Sequence, residues 1–125
     1  MLAAAGRVED ALGALDEALS VAHKTRELFY EPELHRMRGK LLLGKDDSAG
    51  AQSIARALEL ARSREALSLQ LRAAITDAQR LQDSRPKPAY QALADVYGRF
   101  KEGFSSGDLV QAKTLLDELQ KSRID

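Results

Sequence analysis

The stretch GRVEDALGALDEALSVA, Gly6 to Ala22, decides how the chain is read. Val8, Ala11, Leu12, Leu15, Ala18, Leu19 and Ala22 follow the i, i+3, i+4, i+7 pattern, which gathers them on one side of an α-helix. A helix with such a stripe must bury it against a neighbour. Only five residues, Met1 to Ala5, stand before it. The expectation is that they are the stub of a missing first helix, so that the flank bearing Leu12 and Leu19 lacks its cover. An uncovered flank of this kind predicts self-association as a homodimer.

The same pattern returns twice. VEDALGALDEALSVA from Val8, DSAGAQSIARALELA from Asp47 and PKPAYQALADVYGRF from Pro86 align in register at one constant interval. Ala11, Gly50 and Ala89 correspond, as do Leu15, Ile54 and Leu93, and Ala18, Ala57 and Val96. One match could be chance, but the same interval at several positions in register marks an internal repeat.

The segments between are helical too. EPELHRMRGKLLL has Pro32 in a first-turn position, where its missing N–H is no loss. EALSLQLRAAITDAQRLQ carries Leu71, Ala74, Ala78 and Leu81 along one side. SSGDLVQAKTLLDELQ opens with Ser106 as N-cap and Asp108 in the first turn. GKDDS and DSRPKP punctuate the chain between helices, with Pro86 and Pro88 outside a helix or at its start. Six helices are expected, at about 7–24, 31–43, 47–62, 66–82, 87–101 and 107–120, as one domain over residues 1–125.

Composition supports an all-α fold and excludes several functions. Ala, Leu, Arg, Glu and Gln are abundant, and no stretch alternates with period two. The chain has no Cys, so disulfides, thiolate metal sites and a cysteine nucleophile are excluded; a cytoplasmic location is the default. Nineteen basic residues balance nineteen acidic ones, which leaves no phosphate-tracking stripe and argues against nucleic acid. The apolar runs fall far short of the roughly 20 residues of a membrane span, and no secretory signal is recognisable.

The pattern G-x-x-x-x-A-x-x-x-[L/I]-x-x-A, carried by Gly6, Ala11, Leu15 and Ala18, resembles the second-helix half of the tetratricopeptide repeat, whose period is about 34 residues. The longer period, with FYEPELHRMRGKLLL, SLQLRAA and VYGRFKEGFSSGDLVQAKTLLDEL, resembles the C-terminal helical-repeat region of large bacterial signalling proteins. In those proteins the region follows a nucleotide-binding ATPase module, often fused to an adenylate/guanylate cyclase or transcriptional-regulator domain. Neither module is present in this chain, so neither activity is implied. The first-helix Trp of the repeat is replaced by His35 and Ala74, and both turns within a repeat are one residue short.

The resemblance implies a right-handed stack of antiparallel helical hairpins with a closing C-terminal helix. It assigns close helix packing to the small residues Ala11, Ala18, Gly39, Ala57 and Ala78, so that Ala18→Leu should overpack a hairpin by about 1–3 kcal/mol. It also implies a concave, mildly basic groove, with Glu33, Arg36 and Lys40 facing outward on one hairpin and Arg72, Thr76 and Gln79 on the next. Such a groove suits an acidic peptide or a C-terminal carboxylate.

Reactive constellations are scarce. GKLLLGKD, Gly39 to Asp46, matches G-x-x-x-x-G-K but has Asp46 where a phosphate loop needs Ser or Thr, and it reads as a helix ended by Gly44. His23 and His35 lie in different helices with no H-E-x-x-H spacing, and read as a surface and a packing imidazole. Asp16 with Glu17, and Asp46 with Asp47, are neighbours that a helix splays or a loop solvates. Tyr97, Phe100 and Phe104 read as closing the C-terminal end. The expectation is a non-catalytic protein-interaction or scaffold module without metal or cofactor, its partner a protein or peptide. Its rivals are a dimerisation spacer and a small-ligand sensor, the latter weakened by the small number of aromatics.

Overall fold

The computed structural model describes residues 2–124, with the side chains of residues 6–121. The described residues form six helices and no strand: α1 (Leu2–Thr25), α2 (Glu31–Leu42), α3 (Asp47–Ser63), α4 (Leu67–Leu81), α5 (Pro86–Tyr97) and α6 (Gly107–Ile124). The chain is all-α. The ends of α2 and α4, and the starts of α3 and α5, are separated by the interval of the sequence repeat, which is therefore also a repeat of helix boundaries.

Two expected boundaries move. Helix α1 runs back to Leu2, so the backbone of residues 2–5 continues the helix of Gly6–Thr25 and is not the stub of an earlier one. Helix α5 stops at Tyr97, short of the expected end at 101. Gly98 is unfavourable in a helix by about 1 kcal/mol relative to Ala. After it, Arg99 and Phe100 donate to the carbonyls of Val96 and Tyr97, and Gly103 turns the chain at φ 78°.

Local chemistry explains the other ends. Gly44 follows α2 in the left-handed region (φ 91°), and its N–H donates to Asp47 Oδ1 at 2.6 Å. Asp46 caps α3 by accepting the Ala49 N–H at 3.1 Å. Ser106 Oγ accepts the Leu109 N–H at 3.4 Å, a long bond in the expected capping position. Helices α2 and α5 both carry proline in the first turn.

The sequence reads as one domain; the packing divides into two compact units, Met1–Leu60 and Ala61–Asp125, with the division inside α3.

In the first unit α1 and α2 run antiparallel, tied by three rungs. His23 Nε2 lies 2.6 Å from Glu31 Oε2, Arg38 Nε lies 2.9 Å from Asp16 Oδ1, and Lys45 pairs with Glu9. From one rung to the next the pairing moves back two helical turns on α1 and forward two on α2 and its C-terminal turn, as an antiparallel pair in register requires. Arg38 also donates to Ser53 Oγ at 3.2 Å, which brings in α3.

Helices α2 and α3 meet at Gly39 and Gly50. A Cβ on Gly39 would lie 2.6 Å from Ile54 Cγ1 and 2.8 Å from the Gly50 carbonyl oxygen; one on Gly50 would lie 3.0 Å from the Gly39 oxygen. The two backbones are in contact. Ile54 and Ala57, beside this crossing, are wholly buried.

The second unit repeats the design with Ala78 and Ala89 at the equivalent positions, 2% and 1% exposed. Leu93 is as fully buried as its counterpart Ile54. Helix α6 packs against both α4 and α5 and contributes Leu109, Ala112, Leu115 and Leu119 to the core. Tyr97 and Phe104 make a ring contact at 5.8 Å between centroids, near the end they were expected to close.

The face of α1 differs from expectation. Leu12 is buried at 8% exposure and Leu19 is half-buried, so Leu12 belongs to the core and not to an open flank. Ala18 is half-exposed and borders a shallow depression with Ala14, Val21 and Thr25, so a leucine there has room. The overpacking expected of Ala18→Leu applies instead to its counterpart Ala57.

The two kinds of glycine give opposite predictions. Gly39→Ala gains about 1 kcal/mol of helix propensity but drives a methyl into backbone that cannot yield, and a net loss of about 1–3 kcal/mol is expected. Gly13, inside α1 with nothing within 4 Å of an added Cβ, should gain up to about 1 kcal/mol on the same change. Urea denaturation of both variants checks this; two shifts of the same sign would contradict the crossing.

Candidate functional site

In the second unit, α4 and α6 lie side by side and run in the same direction. Arg72 Nε donates to Asp108 Oδ2 at 2.9 Å near the start of both helices. Farther along, the channel between them is lined by Gln79 and Gln82 from α4 and its C-cap and by Gln111, Thr114, Leu115 and Glu118 from α6. A second, smaller depression shares Gln82 and Glu118 and adds Asp83 and Leu119, so the groove continues past the end of α4.

Its chemistry follows from the helical period. On α6, Leu115 and Leu119 turn into the core while Gln111, Thr114 and Glu118 stay on the open side. The Thr114 hydroxyl donates to the Val110 carbonyl oxygen at 3.1 Å. A glutamine amide offers two donors and an acceptor, the complement of the N–H and C=O of an extended peptide. Three such amides line one channel.

The six residues expected to line a concave groove are divided between the two units. Gln79 lines the channel, whereas Arg72 is held by Asp108 at its head. Thr76 is buried at 4% exposure, its hydroxyl donating to the Arg72 carbonyl oxygen at 3.1 Å; it is not a groove contact. In the first unit, Arg36 pairs with Glu33 one turn away and both are half-buried, while Lys40 is exposed. Both arginines that gave the expected groove its basic character face carboxylates. The residues missed, Gln111, Thr114 and Glu118, sit at i, i+3, i+7 on α6, a polar stripe visible in the sequence but read only as the outside of a closing helix.

The first unit holds a cluster that sequence reasoning also missed. Glu31, 2% exposed in the first turn of α2, has His23 Nε2 at 2.6 Å and His35 Nε2 at 3.9 Å. Burial lowers the His35 pKa, Glu31 opposes that, and Arg56, Arg38 and His23 lower it further. His23 is the surface imidazole expected, with 60% of its side chain exposed, and it ties α1 to α2. Among the described residues no group of three or more His, Asp or Glu is arranged to hold a metal ion.

Other candidates resolve into structure. Gly39 to Leu42 of the phosphate-loop-like string are helical, and Gly39 is closed off by Ile54 and Gly50. Asp46 and Asp47 are occupied with helix ends, and Asp16 is on Arg38. Phe29 and Tyr30, 69% and 62% exposed, stack edge to face at 4.9 Å in the turn between α1 and α2. Val21, beside the α1 depression, is 52% exposed. No helix among the described residues is long and apolar enough to cross a membrane.

Compared with known family models, curated proteins and solved structures, the chain matches none.

The lowered His35 pKa makes stability depend on pH. As pH falls below the usual imidazole value of about 6.5, the unfolded chain takes up a proton on His35 before the folded chain does, and the folded state loses ground. Wild type should therefore lose stability from pH 7.5 to 5 more steeply than His35→Gln. Parallel denaturation midpoints for the two proteins across that range would show that burial of His35 does not penalise its charge.

Proposed function

We propose that the chain is a non-catalytic protein-interaction module, a tetratricopeptide-like stack of hairpins that holds an extended peptide in the channel between α4 and α6. One observation supports this above the rest: three glutamine amides line a channel between two parallel helices, a surface suited to backbone hydrogen bonds. The binding energy would come from those bonds and from the apolar floor at Leu115, with no chemistry on the ligand. In a longer signalling protein of the ATPase or cyclase kind that the sequence resembles, this channel would recruit a regulatory partner.

Phage-displayed random dodecamers panned on the chain supply ligands for the test. Peptides so selected should lose at least ten-fold in affinity for Gln79→Ala/Gln111→Ala and keep it for Val21→Ser, a surface change outside the channel. Selected peptides indifferent to the double variant, or none at all, would sink the reading.

A second reading concerns α1. The counterparts of Ala18, which are Ala57 and Val96, are 0% and 5% exposed, while Ala18 itself opens onto the depression beside Val21. A second copy is proposed to cover that face, in a homodimer centred on Ala14, Ala18 and Val21 and not on Leu12. Light scattering should then give a concentration-dependent dimer that Ala18→Glu makes monomeric; a monomer at all concentrations removes the reading.

A further inference from the structure

We infer that the open face of α1, from Ala11 through Ala18 to Thr25, is a docking site for one amphipathic α-helix of another polypeptide, of the kind that α4 supplies to α5. The inference goes beyond the peptide channel, and it concerns the face used in the homodimer reading without needing a dimer.

Two helices of the chain carry nearly the same face. Ala11, Ala14, Leu15 and Ala18 of α1 stand in the repeat register of Ala89, Ala92, Leu93 and Val96 of α5. Their surroundings differ. Helix α5 packs against α4 before it and α6 after it, and Ala89 and Val96 are 1% and 5% exposed. Helix α1 packs against α2, the helix after it, and Ala11 and Ala18 are left half-buried. The remaining copy of the register shows which neighbour covers these positions: on α3, Gly50 and Ile54 meet Gly39 of α2, the helix before. Farther along, Leu60 of α3 is 7% exposed, whereas Val21, in its place on α1, is 52% exposed. The open α1 face is thus the seat that a preceding helix fills on α3 and α5.

The two helices that hold such a seat define what fits it. Each has a small residue at the crossing, Gly39 in α2 and Ala78 in α4. Helix α4 adds Leu71, Ala74 and Leu81 in phase with Ala78, so that its inner stripe reads L-x-x-A-x-x-x-A-x-x-L. From Ala11 to Thr25 the α1 face follows about 21 Å of helix, comparable to α2 and α4 with their 12 and 15 residues. The depression lined by Ala14, Ala18, Val21 and Thr25 is the part such a stripe would fill. A second copy brings no free helix of this kind, because its α2 is packed on α1 and α3 and its α4 on α5 and α6. The helix therefore comes from a different chain, and it and a second copy exclude each other from the face.

The α4 sequence itself is the probe: residues 67–82 as a peptide blocked at both ends and stapled between positions 68 and 72, which are exposed in α4, because so short a helix is marginal alone. The chain is labelled on a cysteine appended after Asp125, unique because the sequence has none. It is kept more dilute than any dimer that light scattering detects, and the peptide is titrated by thermophoresis. Saturable binding is expected. Ala18→Glu in the chain should weaken it at least ten-fold, as should Ala14→Glu at a more open position, while Gln79→Ala/Gln111→Ala should leave it unchanged. Ala74→Leu/Ala78→Leu in the peptide, which overpacks the crossing, should weaken it at least ten-fold too. Circular dichroism of each chain variant confirms the fold. Binding that survives both α1 substitutions, binding indifferent to the overpacked peptide, or binding lost only in Gln79→Ala/Gln111→Ala overturns the inference. No binding overturns it as well; a dimer that Ala18→Glu makes monomeric then leaves the homodimer reading standing.

Discussion

Two α-helices come into backbone contact only where neither presents a side chain to the other, and the hairpin of α2 and α3 is built around one such place. Gly39 and Gly50 put each backbone within reach of the other, and the space left beside them is filled by Ile54 and Leu43. The arrangement fixes which face of each helix turns inward, because the small residue must be at the crossing. It also fixes the phase of the apolar stripe on α3, since Ile54 lies one turn beyond Gly50 and Ala57 the next turn on. The second unit has Ala78 and Ala89, both buried, at the equivalent positions.

This is why the architecture was legible in the sequence. A constant interval that carries a small residue, a branched or long aliphatic one and a second small or aliphatic one in fixed phase is the linear image of a repeated crossing. The helix ends were legible for the same kind of reason: Asp46, Ser106, Gly44 and the paired prolines act within a turn of their own position, so their effects need no tertiary knowledge.

The site was not legible to the same degree. Apolar spacing says which face of α6 is buried, but not which helix lies beside it, and the channel exists only because α6 runs parallel to α4. Gln79 and Gln111 are separated in the chain by the whole of α5 and its flanking loops, and nothing local links them. Arg72 reads as a free cation in the sequence for the same reason, since Asp108 lies beyond the same helix. Glu31 and His35 are different: their i, i+4 spacing is in plain view, but it matches no metal-type spacing and so carries no signal of a site on its own. His23 joins them through the antiparallel pairing of α1 with α2, which spacing alone does not reveal.

That pairing carries a further consequence. Its rungs are acid on base twice and base on acid once: Glu9 with Lys45, Asp16 with Arg38, then His23 with Glu31. The first two rungs are exposed or half-exposed and contribute about 0–1 kcal/mol each, too little to hold the hairpin shut, while the third has the buried Glu31 as its acid. The reversed rung has another effect. If α2 slid two turns one way, Asp16 would face Glu31; two turns the other way, and His23 would face Arg38. Each slip keeps one attractive contact and replaces the other with an acid facing an acid, or an imidazole facing a guanidinium. A ladder with all its acids on one helix would tolerate both slips. The single inversion makes α1 and α2 readable in one alignment only, so that the modest electrostatics of this surface act as an address and not as glue.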